Sequence, residues 1–411
     1  MPAEPSPTLA ERAERLAAEA ADFAGVPRAA IRLIRSPYRI CPLGAHVDHQ
    51  LGRVTGMAID RSILLAFAPT ADRTVRLKSH EFDGLVEFAL GEAADTSRSS
   101  WGCYAAGAVG ALARTNGVKL TRGIAGVVEG GLPIGGLSSS AAVSVAYLLA
   151  LETANDLTVN PVVNIRLEQY IENVHIGLNN GILDQSAILL SRRGKLLVLD
   201  CQTEQWELVE RSPKAADFGI VVAYSGVSSA LAATGYNTRV KECRAAAGAL
   251  LDLAGIPDDG AAVLRDVPFE VYEAFVADLP PELGKRARHF FTENVRVLQG
   301  RRVWAQGDLV RFGELITESG RSSIENYECG SPELITLYDV LCAAEGVYGA
   351  RFSGGGFRGS CLGLYRPGAE EAIRAAVDRA FPSAHPHLAD RYELHFCTSD
   401  DGAAALSLNA T

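Results

Sequence analysis

Apolar positions along the chain recur at helical and at strand spacing, and the two patterns alternate without an internal repeat. Residues 10–24 set alanines and leucines between charges and predict a surface helix. IRLIRSP and MAIDRSILLAFAP predict strands, with RICPLGAHVDHQLGRVTG looping between them. TVRLKSH and GLVEFAL alternate apolar and polar residues, as half-buried strands do. A helix is expected over 101–115, a strand at GIAGVVEG, and over 138–153 a helix whose leading serines suit an N-cap. Residues 161–177 read as helical until GLNNG breaks them, and GKLLVLDC reads as a strand. Beyond Gln202 come the strand FGIVVAYS, a helix over 236–254, several helices up to 346, and ARFSGGGFRGSCLGLY, which is strand, glycine turn, strand. A helix over 370–380 and a last strand at YELHFCT complete an α+β pattern, divided near residue 200 into two domains, 1–200 and 201–411.

Composition narrows the class. The 411 residues are 48% apolar and 21% charged, enough material for a large core. No apolar run approaches the ~18–20 residues that span a bilayer, so no membrane association is expected. The N-terminal MPAEPSPTLAERAERLAAEAADFAG carries acids early and does not read as a secretion signal. Eight cysteines lie scattered with no CxxC pair, the usage of reduced thiols in the cytoplasm. A net charge of −10 argues against nucleic acid as a partner, and it requires that anionic ligands be held by local positive features. Nothing in the sequence sets the oligomeric state.

The stretch most informative about chemistry is GLPIGGLSSSAA at 131–142, which runs into the apolar helix AAVSVAYLLALETA. Glycines let a backbone fold closely around a ligand, and a helix behind them aims free N–H groups and a positive dipole end at an anion. This is a phosphate cradle without the Gly-Lys-Ser/Thr ending of a Walker A loop. Four clusters accompany it. RSPYRICPLGAHVDHQ sets Arg39, His46 and Asp48 in a loop with Gly44 and two prolines. IENVHIGLNNGILDQ carries Glu172 and His175 near a helix end, with Gly177 and Gly181 releasing the chain toward Asp184. ATGYNTRVKEC puts Tyr236 just ahead of a helix, and RFSGGGFRGS is a glycine turn. Taken singly, each has an ordinary alternative: a loop hydrogen-bonder, a solvated helix acid, a packed tyrosine, a tight turn.

Together and in order, these segments resemble the three motifs of the GHMP sugar kinases, and especially the galactokinases. RSPYRICPLGAHVDHQLGRVTGMAID is similar to their first motif, GLPIGGLSSSAA to their phosphate motif, and RFSGGGFRGSCLGL to their glycine-rich third motif. NGILDQ resembles the segment that carries their catalytic aspartate, and YECGSPELITLYDVL the segment upstream of the third motif. The likeness implies the two-domain GHMP kinase fold, mixed sheets covered by helices with the active site in the cleft between the domains. It implies ATP as phosphoryl donor, held by Gly135, Gly136, Leu137, Ser138, Ser139 and Ser140 and the helix behind them. Ser140 and Glu172 match the family's Mg²⁺ positions. Asp184 matches the residue that orients the anomeric hydroxyl and accepts its proton, and Arg39 the partner that keeps Asp184 ionised. His46, Asp48, Gly181 and Tyr236 match sugar contacts. Trp101 and Tyr104 resemble the segment that stacks on adenine, with helix-core packing as their ordinary alternative.

Two departures bear on the substrate. Ala45 stands where galactokinases have a glutamate that hydrogen-bonds the sugar's C6 hydroxyl. A carboxylate at C6 would repel that glutamate, by about 4 kcal/mol for charges 4 Å apart at an effective dielectric of about 20. The third motif also reads FRGS, and Arg358 is a candidate fork for a carboxylate, or an ordinary surface arginine. SPYRICPLGAH and RFSGGGFRG resemble the galacturonokinase branch, which implies phosphorylation of D-galacturonate at C1 to the α-1-phosphate, a transferase reaction of carbohydrate metabolism. The alternatives are a galactokinase or arabinokinase with a relaxed pocket, and a kinase-like sugar sensor that binds without turnover.

Overall fold

In the computed structural model, residues 7–95, 100–132, 136–227 and 235–407 are described. The chain opens with α1 (Leu9–Ala24), begun by a Thr8–Glu11 capping box and ended at Gly25 with φ +66°. Then come β1 (Arg32–Ile40), β2 (Arg53–Thr70), β3 (Thr74–Ser79), β4 (Val86–Ala89), α2 (Cys103–Ala113), β5 (Gly123–Glu129), α3 (Ser139–Ala154) and α4 (Pro161–Tyr170). A π-helical turn at Ile171–Ile176 follows, then α5 (Leu183–Leu190), β6 (Leu196–Asp200), β7 (Trp206–Val209) and β8 (Gly219–Tyr224). The second half is α6 (Tyr236–Leu253), α7 (Phe269–Phe275), α8 (Pro281–Gln306), α9 (Leu309–Glu325), α10 (Pro332–Ala343), β9 (Val347–Phe352), β10 (Ser360–Tyr365), α11 (Glu370–Ala384), β11 (Glu393–Cys397), β12 (Ser399–Asp400) and β13 (Ala404–Leu406).

Among the described residues the strands form a nine-stranded and a four-stranded sheet. The first runs β13-β1-β2-β5-β3-β4, antiparallel except for the parallel pair β3–β5. β2 is 18 residues long and buried along most of its length. β1 pairs along the middle of β2, from Met57 to Phe67, β5 with its second half, and β6 and β12 with its first half. The apolar stripe of α1 (Ala13, Leu16, Ala17, Ala20) lies against Leu33, Leu64, Ala66 and Val127, while a larger core fills the space on toward the second sheet. That sheet, β11-β8-β10-β9, is antiparallel throughout, with α9 and α10 packed against β9.

Three sequence expectations change. Arg39 is on β1, not in the loop, beside a register shift between Pro37 and Arg39 that bends the strand next to the site. α5 and the short strands β7, β12 and β13 carry too few residues for a periodic signal. β12 and β13 return to β2 and β1, so residues beyond 398 complete the first sheet instead of extending the second half.

Candidate active site

Residues from both halves converge on one open cleft with about 530 Å³ of empty space, part of it open to solvent. Arg39 and Cys41 reach it from the end of β1, Ala45, His46 and Asp48 from the following loop, and Asn180, Gly181 and Asp184 from the approach to α5. Tyr236 begins α6, and Arg351, Gly354 and Gly355 come from the β9–β10 segment.

Asp184 is half-buried in the first turn of α5 and held from two sides. Arg39 Nε donates to its Oδ1 at 2.7 Å, and the Ser138 hydroxyl donates to Oδ2. Burial works against the charge of Arg39, but the Asp184 carboxylate more than offsets this and holds the guanidinium above its ordinary value. The serine-cap expectation changes here. Ser138 is at the N-cap of α3, but its φ is +56° and its side chain makes no cap hydrogen bond, because the hydroxyl has turned onto Asp184.

Gly136, Leu137, Ser138, Ser139 and Ser140 lead into α3, whose first i→i−4 bond runs from Ala142 N to the Ser138 carbonyl. The amides before it lie at the positive end of the helix dipole. Gly135 lies outside the described residues. The Gly136 carbonyl accepts from Ser353 Oγ at 2.6 Å and from Arg39 Nη1 at 3.4 Å. A Cβ on Gly354, where φ is +67°, would come 3.0 Å from that carbonyl oxygen. The third glycine motif therefore backs the phosphate-type loop by close approach of two backbones.

Glu172 is on the π-helical turn, 1% exposed. Asn180 donates to its Oε2, Asn173 and Asn180 clamp each other across the loop, and Glu172 Oε1 is buried without a hydrogen-bond partner. Burial, then the charge of Asp184, pushes Glu172 up to about 7, while the Ser140 hydroxyl and the Asn180 amide act the other way. Glu168, one turn earlier, is fully buried with both oxygens unpartnered and is held well above the carboxylate range by burial and then by Glu172. Among the described residues, no group of three or more His, Cys, Asp and Glu side chains is placed to hold a metal ion.

On the opposite wall, a Cβ on Gly181 would sit 2.4 Å from Asp48 Oδ2, so only glycine admits that carboxylate. Burial, then Asp184, pushes Asp48 up to about 6. His46 has φ +58° and stacks on Tyr327 at 4.2 Å; burial and the positive groups around it keep it neutral. Tyr236 is buried and packs edge-on to His49. Ala45 is buried in the wall and carried by α8: Glu293 accepts from the amides of Gly44 (2.7 Å) and Ala45 (3.3 Å), and His289 Nε2 lies 2.9 Å from the Ala45 carbonyl.

Three sequence candidates lie away from the cleft lining. Arg358 is exposed in the β9–β10 turn and is not among the residues that line the cleft, whose arginines are Arg39 and Arg351. Trp101 and Tyr104 do not line it either. Trp101 stacks on Phe82 and donates to the Asp83 carbonyl, and Tyr104 packs half-buried on the core within the field of Glu172 and Glu168. Sequence reasoning missed Arg351, Glu293, Asn180 and Ser353. Only Arg351 left a trace, as a charge inside an otherwise apolar strand.

Residues 103–192 match the model of the GHMP kinases N terminal domain, and residues 301–383 that of the GHMP kinases C terminal domain. The chain is 46% identical to a galacturonokinase of Arabidopsis thaliana over 409 residues, 94% of this chain and 96% of that protein. The chain belongs to the GHMP kinase family. This GHMP kinase is also 33% identical to a galactokinase of Roseiflexus sp. (strain RS-1), over 92% of this chain and 94% of that one. Its fold matches the Lactococcus lactis galactokinase crystallised with galactose, at a TM-score of 0.87 and 29% identity, covering 96% of this chain and 99% of the other. It is an ATP-dependent sugar kinase with the mixed α/β fold of that family.

Proposed function

We propose that this kinase transfers the γ-phosphoryl group of ATP to the C1 hydroxyl of D-galacturonate, giving α-D-galacturonate 1-phosphate and ADP. The observation that carries the substrate is Ala45: a methyl group in the cleft wall where the galactokinase first motif has a carboxylate. A wall without that charge admits a carboxylate at C6. The 46% identity to a named galacturonokinase, against 33% to a galactokinase, points the same way.

The residues divide by role. The amides leading into α3 and the dipole behind them bind phosphate oxygens. Asp184 orients the C1 hydroxyl and accepts its proton, while Arg39 and Ser138 fix the carboxylate and Arg39 balances charge on the transferred group. Asp48, His46 and Tyr236 bind sugar hydroxyls, with Gly181 making room. Trp101 and Tyr104 are proposed to edge the adenine site.

Mg²⁺ fits the residues present. The Ser140 hydroxyl and the Glu172 carboxylate are hard oxygen donors, and Glu172 Oε1 is buried without a partner. Ser140 and Glu172 would hold the ion, which supplies charge neutralisation on the ATP phosphates when bound. Phosphate oxygens of ATP and water would supply the remaining donors. The working site is proposed to be cytoplasmic, with the sugar and ATP as small-molecule partners and neither nucleic acid nor membrane.

The test is an ADP-release assay over a panel of sugars, with the product identified by ³¹P NMR. Turnover with galacturonate and a phosphate on C1 is expected. Turnover confined to neutral sugars would replace this reading by a galactokinase-type one, and binding without turnover by a sensor.

A further inference from the structure

Five arginines are buried among the described residues: Arg12, Arg35, Arg39, Arg286 and Arg351. Four of them meet a carboxylate. Arg12 pairs with Glu129, Arg35 with Asp400, Arg39 with Asp184, and Arg286 with both Glu242 and Glu328. Arg351 is 1% exposed and belongs to no ion pair among the described residues. Its Nη1 donates to the Cys41 carbonyl at 3.1 Å, and its Nε is buried with no hydrogen-bond partner. The guanidinium is thus a charge in a buried wall whose acceptors among the described residues, the Cys41 carbonyl and the more distant Cys41 sulfur, are both neutral. Such a group is costly to bury unless an anion comes to it.

The surroundings say where the anion comes from. Arg351 lines the cleft beside Cys41, Ala45 and His46. A carboxylate whose ionisation feels it is Glu293, held down to about 2 because Arg296, His289 and Arg351 together outweigh its burial. Glu293 is already engaged by the amides of Gly44 and Ala45, by Ser319 and by Arg296. The other cleft arginine, Arg39, is taken by Asp184. Residue 45 offers a methyl group. The unmatched positive charge therefore faces the ligand space.

We propose that Arg351 is the residue that receives the C6 carboxylate of the sugar, and that Ala45 acts by leaving this guanidinium free. The inference rests on galacturonate being the substrate. It gives the alanine a second consequence: besides removing a repelling carboxylate, it withholds an internal partner from Arg351. A planar fork buried in the wall matches a carboxylate with two parallel N–H···O bonds. A neutral C6 hydroxyl cannot neutralise the charge and leaves it as costly as before.

The test compares kcat/KM for galacturonate and galactose in wild type, Arg351→Gln, Arg351→Lys and Arg358→Ala, with thermal unfolding reporting that each protein is folded. Removing one partner of a buried charge pair is expected to lower the galacturonate-to-galactose ratio at least about 30-fold in Arg351→Gln. Arg351→Lys, which keeps the charge but loses the fork, should fall less. Arg358→Ala should match wild type. A folded Arg351→Gln protein whose ratio stays within threefold of wild type overturns the inference. A wild type that favours galactose overturns the substrate reading first, and the two failures are thereby distinct. Should neither Arg351 variant fold, the wild-type crystal structure with galacturonate and a non-hydrolysable ATP analogue decides. The C6 carboxylate in hydrogen-bond contact with Arg351 supports the inference, and a carboxylate directed at any other group overturns it.

Discussion

Asp184 is held by the Arg39 guanidinium on one carboxylate oxygen and by the Ser138 hydroxyl on the other. In Asp184→Asn the amide oxygen can still accept from Arg39, but the buried guanidinium loses its counter-charge. We expect kcat to fall by roughly 10²–10⁴-fold, the scale of a positioned proton acceptor. We also expect about 1–3 kcal/mol of lost stability, the cost of a poorly matched buried donor, read from urea denaturation. A variant that keeps a third of wild-type kcat removes Asp184 from the base role. Ala45→Glu is expected to shift the kcat/KM ratio toward galactose by at least about tenfold, since galactose gains a C6 acceptor while galacturonate meets a second carboxylate and loses Arg351 to the new glutamate. An unchanged ratio with both activities intact means that residue 45 does not face C6. At this scale the sequence was legible where residue types are ordered in motifs: Arg39, Asp48, Gly181 and Asp184 do meet. It was silent on Glu293 and left only a faint trace of Arg351, a charge within an apolar strand, because the role of a buried charge is defined by what surrounds it in space. Arg358, the arginine the sequence singled out, is exposed in a turn outside the cleft lining.

The elements explain how these residues are held. Gly136 and Gly354 bring two loops into backbone contact, Ser353 closes that contact, and α8 carries Glu293 under the Gly44–Ala45 segment. Glu293 makes a pH prediction. Its folded value, about 2, lies below the ordinary 4.5, so the folded state favours its ionised form. Its contribution is therefore full above about pH 4.5 and is lost as pH falls toward 2. Glu293→Gln keeps an acceptor for the two amides but strands Arg296. Its stability deficit against wild type, on the order of 3 kcal/mol, should be constant from pH 8 to 5 and shrink below pH 4.5. Parallel stability curves across that range would show that Glu293 is not held ionised. Long helices and the strands β1 to β5 followed from periodicity, since amphipathic faces must be buried. β7, β12 and β13 did not, because two to four residues paired to a distant strand carry no period.

Across the whole molecule, one apolar core runs under both sheets, and the last strands return to the first. The cleft is consequently built from residues as far apart as Arg39 and Gly355, and a division at residue 200 does not follow the sheets. What a chain-order reading did supply was the sequence of motifs, which survives any rearrangement of boundaries. The central claim is that this cleft selects a sugar acid and phosphorylates its anomeric hydroxyl. The most direct measurement is a competition: equal concentrations of D-galacturonate and D-galactose, limiting ATP with Mg²⁺, and both products quantified in one ³¹P NMR spectrum. The account predicts α-D-galacturonate 1-phosphate as the dominant product. Galactose 1-phosphate in excess would contradict it.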